Sequence, residues 1–179
     1  MKKITFLLFS LCFSFGFSQT FTLKSTELSG QATVDQLFNG FGCTGKNISP
    51  QLSWENAPKE TKSFAITIHD PDAPTGSGWW HWIVFNIPNT ITELPSDAGN
   101  VSKNLLSKES IQSKTDFGTY GYGGPCPPEG HGIHQYIITI HALKTEKLEL
   151  DKDASPALVG YYLNFNTIKK SSLIFYHNR

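Results

Sequence analysis

Four short segments carry the side chains best suited to bind or to react: His69-Asp70-Pro71-Asp72-Ala73-Pro74, Trp79-Trp80-His81-Trp82, Gly123-Gly124-Pro125-Cys126-Pro127-Pro128 and His131-Gly132-Ile133-His134-Gln135-Tyr136. Asp70 ends an apolar run and precedes a proline, so stiff backbone holds a carboxylate able to orient a histidine or accept from an ammonium group. An imidazole near its protonation threshold can donate both N–H groups to an anion, and a neighbouring carboxylate raises its pKa toward that charged form. Asp70, His81 and His134 therefore have the make-up of a small anion clamp. Gly123 and Gly124 let backbone amides approach a ligand, while the prolines around Cys126 stiffen the loop and give it an apolar wall.

Each feature also has a plainer reading. An Asp in Asp-Pro-Asp ordinarily builds a turn, and Asp72 is expected in that role even where Asp70 binds a ligand. A histidine among tryptophans, or at the head of a buried strand, is commonly a packing residue, and a Gly/Pro loop is commonly a rigid turn. The same trio supports a chemical alternative, with two histidines and a carboxylate as divalent-metal ligands or as acid and base in hydrolysis. No short ligand spacing of the zincin type backs that alternative.

The elements that must position these groups are short strands separated by breakers. Runs at 21–24, 51–54, 64–69, 80–87 and 135–143 read as strands, and Pro50, Pro58, Pro71, Pro74, Pro88 and Pro95 stop the ladders because proline lacks the donor a central strand needs. The stretches 64–69 and 136–141 run apolar with little alternation and are expected at the centre of a sheet, covered on both faces. Segment 99–124 loses periodicity and reads as a long loop, either functional or disordered. Near the C-terminus Ser155 and Pro156 suit an N-cap and first helical position, and Leu158, Tyr161, Tyr162 and Phe165 recur at helical spacing, with a closing strand at 173–176. One mainly β domain over 19–179 is expected.

At the N-terminus Lys2 and Lys3 precede an apolar run ending in small residues, the layout of a cleaved secretory signal over 1–18. The run falls short of the roughly 20 apolar residues a spanning helix needs, so the mature chain is expected without a transmembrane segment, in the periplasm or secreted. Of 15 basic and 15 acidic residues, thirteen basic remain against fifteen acidic after cleavage. With a formal charge of −2 and no basic cluster, nucleic acid is not an expected partner. Cys43 and Cys126 survive in the mature chain. An exported location permits them to form a disulfide, and two free thiols acting as small apolar fillers remain equally open.

Taken in order, Asp70-Pro71-Asp72-Ala73-Pro74, His81-Trp82, Gly124-Pro125-Cys126-Pro127-Pro128 and His134-Gln135-Tyr136 resemble the signature of the phosphatidylethanolamine-binding, Raf-kinase-inhibitor-like family. The segment from Cys43 to Pro50 is similar to its bacterial branch, and the resemblance extends from about Phe21 to the C-terminus. It implies a mainly β fold with a large central antiparallel sheet, a smaller sheet and a few peripheral helices, one near the C-terminus. It also implies a small pocket for phosphate-like anions or phospholipid headgroups, built from Asp70, Asp72, His81, Gly124, Pro125, Cys126, Pro128, His134 and Tyr136. Gln135 departs from the arginine common in the family at that place. The expectation is a binding protein, not an enzyme, that uses no cofactor and holds a phosphoryl anion or headgroup. A role as inhibitor or modulator of another protein is a further possibility, with contacts through the Pro/Gly loop or segment 99–115.

Overall fold

β-Branched and aromatic runs form the strands and prolines mark their ends. The computed structural model describes residues 19–179, so the expected signal segment lies outside the described residues. In chain order the elements are β1 Thr22–Lys24, β2 Asn39–Gly40, β3 Cys43–Thr44, β4 Leu52–Glu55, β5 Ser63–Asp70, β6 Trp79–Pro88 and β7 Glu93–Leu94, then β8 Ile111–Gln112, β9 Ile133–Leu143, helix α1 Pro156–Asn166 and β10 Thr167–Asn178. A five-stranded sheet has the order β10-β9-β5-β6-β8 and is antiparallel throughout; β1-β4-β7 form a smaller sheet, and β2-β3 a two-stranded ribbon. The mainly β architecture expected from the sequence is observed.

Two apolar layers hold the large sheet. On one face Phe64, Ile66, Ile68, Trp82, Val84, Tyr136, Ile138, Ile140 and Phe175 meet Leu23, Leu52, Trp54 and Leu94 of the smaller sheet and Phe21 just before it. On the other, Ala65, Ile83, Phe85 and Leu143 take Leu148, Val159 and Leu163. Each large side chain so buried contributes about 1.5–3 kcal/mol, which makes these layers the main cohesive term. Among the described residues no helix is long and apolar enough to cross a membrane.

The structure departs from the sequence reading in four places. β5 is buried almost throughout, as expected, but β9 alternates: Tyr136, Ile138 and Ile140 are buried while Ile137, Thr139 and His141 are half-covered. The layer under the helix gathers at the Leu143 end, leaving those three positions partly open. Helix α1 starts as expected, with Ser155 Oγ accepting from the Leu158 amide and proline in its first turn. Its inward residues, however, are Val159 and Leu163, while Leu158, Tyr161 and Phe165 are 43%, 59% and 61% exposed. Apolar residues occupy both sides of this helix, so spacing alone could not choose the buried one. The closing strand is far longer than 173–176 and pairs with β9 along its length from Thr167. Lys169, Lys170, Ser171 and Ser172 hid its first half, a polar composition typical of sheet edges. Finally, segment 99–124 is not all loop: it contains a 3₁₀ turn, Val101–Lys103, and strand β8.

Candidate functional site

A β-bulge places the first critical side chain. Between β5 and β6, Ile68 pairs with Trp82 but His69 pairs with Trp80, leaving His81 as the extra residue. A bulge re-aims side chains and adds local twist. Here Trp80 turns to His69 at 4.2 Å between ring centroids, while His81 meets Tyr136 edge-on at 5.1 Å and Phe117 at 5.3 Å. Asp70 ends β5, and His134 and Tyr136 lie two apart on the buried face of β9, so the pleat points all three to the same side. The result is a cavity of about 210 Å³ lined by Phe41, Asp70, Ala73, Pro74, Thr75, Trp79, His81, Phe117, Cys126, Pro127, Pro128, His134 and Tyr136. That is below the 300–1,000 Å³ typical of drug-sized ligand sites and suits a small ligand.

Loops complete the wall. A disulfide joins Cys43 to Cys126, tying the β2–β3 ribbon to the proline loop. The turn of that ribbon carries Phe41 at φ 54°, in the left-handed region that bulky residues rarely adopt. The exposed Phe41 ring stacks on Phe117 at 5.9 Å, and Trp79 meets Phe117 edge-on at 5.5 Å, so the mouth is aromatic. The Arg179 guanidinium donates to the Phe41 carbonyl at 3.1 Å, bringing a cation to this rim. At Gly123 a Cβ would come within 2.4 Å of the Phe117 ring, and at Gly124 within 2.0 Å of the Gln36 carbonyl oxygen; only glycine permits these approaches.

The polar atoms are strongly buried and mostly paired. Asp70, His81, His134 and Tyr136 are each under 5% exposed. Asp70 Oδ2 lies 2.7 Å from His134 Nδ1, and Asp70 Oδ1 accepts from the Asp72 amide at 2.8 Å. His134 Nε2 in turn meets His131 Nδ1 at 2.7 Å. His81 Nδ1 donates to the Gly123 carbonyl at 2.6 Å, and the Gly123 amide donates back to the His81 carbonyl. Burial pushes the His81 pKa down to about 4, against weaker upward pulls from the Gly123 carbonyl and the Asp70 carboxylate. Tyr136 is pushed upward by burial and then by the Asp70 carboxylate, beside which its buried hydroxyl lies without making a hydrogen bond of normal geometry.

Of the residues singled out in the sequence, Asp70, His81, Cys126, Pro128, His134 and Tyr136 share the cavity wall. Three do not. Asp72 is an exposed turn residue whose Oδ2 accepts from the Gln135 amide at 2.8 Å, pinning the start of β9 to the Asp-Pro-Asp turn. Gly124 donates its amide to Asn47 Oδ1, and the Pro125 carbonyl accepts from the Phe38 amide, so both brace the loop from behind. The clamp as first conceived also needs correction, because neither histidine offers two free N–H groups: His81 commits one nitrogen to Gly123, and His134 commits both to Asp70 and His131. Gln135 falls on the opposite face of β9 from His134 and Tyr136, so the departure at that position leaves the wall unchanged. Sequence reasoning placed His131 in a loaded segment but gave it no role, although its three-residue spacing from His134 was an available signal, and it passed over Phe41 and Phe117, which carried none. Among the described residues, no three His, Cys, Asp or Glu side chains are gathered to hold a metal.

Comparison with known proteins converges on one family. The family model for phosphatidylethanolamine-binding protein matches residues 5–178. The UPF0098 protein YbcL of Escherichia coli is 50% identical over 155 residues, covering 86% of this chain and 85% of its own length, and a UPF0098 protein of Aquifex aeolicus is 41% identical over 139 residues, covering 78% and 79%. The crystal structure of E. coli YbcL, described as a new member of the mammalian PEBP family, superposes with a TM-score of 0.87 at 48% identity, covering 89% of this chain and 98% of that one. A phosphatidylethanolamine-binding protein homologue from Chlamydia trachomatis shares the fold at 24% identity and a TM-score of 0.70, covering 89% and 97%.

Proposed function

Since the chain belongs to the phosphatidylethanolamine-binding protein family, we propose that it is a non-enzymatic binding protein for a small phosphoryl-bearing anion, either a free phosphate or a phospholipid headgroup. The observation that carries this reading is the Tyr136 hydroxyl, a buried donor without a protein partner in the wall of a small cavity. Leaving such a group unpaired costs about 1–3 kcal/mol, which a ligand oxygen would relieve. The aromatic mouth surrounds the polar groups with apolar surface, which lowers the local dielectric and strengthens polar contacts inside. Export is part of the same proposal. It is supported by the basic, apolar, then small-residue layout of 1–18 and by the Cys43–Cys126 disulfide, a bond that persists in oxidising compartments.

Thermal denaturation with millimolar phosphate or phosphoethanolamine tests the binding reading. Both ligands are expected to raise the midpoint, and His134→Ala and Tyr136→Phe to remove the increase. No shift with either ligand would count against anion binding. For the hydrolytic alternative, with Asp70, His81 and His134 as metal ligands or acid and base, no metal-holding donor set is gathered among the described residues, and metal analysis and a phosphoester hydrolysis assay of the purified protein address its two versions. A role as modulator of a partner protein would be read by pull-down with and without competing phosphate, since a pocket-dependent partner is displaced.

A further inference from the structure

Proton bookkeeping around the cavity narrows the ligand further than its charge does. The Gly123 carbonyl can only accept, so the 2.6 Å contact places a hydrogen on His81 Nδ1. With its pKa near 4 the ring holds one proton at neutral pH, so Nε2 is a bare lone pair. No donor reaches His81 Nε2 among the described hydrogen bonds. Asp70 is also an acceptor: Oδ1 takes the Asp72 amide and Oδ2 takes His134 Nδ1, with lone pairs left over on both oxygens. His134 has no nitrogen left. No lysine or arginine lines the cavity, and its buried side-chain donor outside normal hydrogen-bond geometry is the Tyr136 hydroxyl, which lies beside Asp70.

A fully deprotonated oxyanion brings acceptors only. It would satisfy Tyr136 and set its other oxygens against His81 Nε2 and the Asp70 carboxylate. An oxyanion that retains one hydrogen turns the same encounter into a donor–acceptor pair. We propose that the site selects a phosphoryl group carrying its own proton, a phosphate or phosphomonoester in its monoanionic form, whose P–OH donates to His81 Nε2 while a second oxygen accepts from Tyr136. This rests on the anion-binding reading above and specifies which form of the anion is taken. The proton stays on the ligand and no bond is broken.

Other ionisable groups stand around the cavity: Asp70 and His69 near His81, Asp70 and Asp72 near Tyr136, and His131 against His134. Dimethyl phosphate, a monoanion, and sulfate, a dianion, keep their own charge across this range and so report the pH effect of these groups on each ligand charge, which separates it from the ligand's own proton. The test is calorimetric titration of the purified protein at pH 6, 7 and 8 with methyl phosphate, dimethyl phosphate, sulfate and glycerophosphoethanolamine. A phosphomonoester loses its second proton near pH ~6, whereas sulfate and the diesters hold no P–OH or S–OH hydrogen in this range. Methyl phosphate is expected to bind best at pH 6 and to weaken by nearly tenfold per unit toward pH 8, with dimethyl phosphate and sulfate at least tenfold weaker at pH 6. In His81→Ala the ratio of methyl phosphate to sulfate affinity should fall toward one. Should that variant fail to fold, the ligand series on the unaltered protein decides alone. Sulfate or dimethyl phosphate binding as tightly as methyl phosphate at pH 6 would overturn the proposal and leave anion binding standing. Equal binding of glycerophosphoethanolamine, a diester whose donor is an ammonium, would assign the site to a lipid headgroup instead. If none of the four binds, the anion-binding reading itself is lost.

Discussion

At the level of single residues, the cavity stores two conflicts that a binding partner would resolve: a buried hydroxyl without a well-formed hydrogen bond, and an imidazole held neutral by burial. Tyr136→Phe separates the two contributions of this side chain. The ring continues to stack on Phe175 at 5.2 Å, while removal of the unpaired hydroxyl is expected to leave stability unchanged or to raise it by about 1 kcal/mol in urea denaturation without ligand. The same variant should lose most of any phosphate-induced stabilisation, so fold and binding move in opposite directions. His81 and His141 both have pKa values pushed down to about 4 from the usual 6.5, chiefly by burial. The unfolded chain then binds more protons than the folded one between those values, so their contribution is full above pH 6.5 and is lost as the pH falls through about 4. Because each pKa unit is worth about 1.4 kcal/mol, unfolding free energies measured by urea denaturation at pH 7 and pH 4.5 should differ by a few kcal/mol in favour of pH 7. A flat profile across that window would mean these rings are hydrated.

Among the elements, helix α1 offers the sharpest contrast. Leu163 is 3% exposed against the sheet, and Phe165, two residues on, is 61% exposed. Leu163→Ala is therefore expected to cost about 2–5 kcal/mol, whereas Phe165→Ser should stay within about 0.5 kcal/mol of the unaltered protein, both read by chemical denaturation. The reverse ranking follows from counting large apolar residues along the sequence. Ser155→Ala removes the oxygen that caps the Leu158 amide and should cost about 1 kcal/mol. In the sheet, the bulge at His81 is the positioning device: without the extra residue, the alternation of β6 would not turn Trp80 and Trp82 to opposite faces while presenting His81 to Tyr136.

Across the whole molecule, the disulfide closes a span of 83 residues and joins the β2–β3 ribbon to the proline loop beside the mouth of the cavity. On the chain-entropy account a cross-link of this span stabilises by about 4 kcal/mol, so a Cys43→Ser, Cys126→Ser double variant should unfold at markedly lower denaturant. Ligand affinity is expected to fall with it, because Phe41, Cys126 and Pro128 would no longer be held against one another across the mouth. Retention of both stability and affinity in the double variant would show that packing of Phe38 and Phe41 on Phe117 is enough to hold these loops.

The strand order of breakers and β-branched runs, the helix start at Ser155-Pro156 and the side chains brought to the cavity by Asp70, His81, Cys126, Pro128, His134 and Tyr136 could all be read from the chain, since backbone preference and motif order are local properties. The resemblance of those motifs to one family made the mainly β architecture legible as well. Tertiary structure alone decided which face of α1 is buried, how far β10 runs along β9, and that Cys43 reaches Cys126. It also redefined the site that the sequence first suggested. Asp72, Gly124 and Pro125 serve the loops, Phe41, Phe117 and His131 join the wall or its neighbours, and the histidines are spoken for by Gly123, Asp70 and His131. Proton positions and burial depend on groups that meet across the fold from distant parts of the chain, so no reading of spacing along it could assign them.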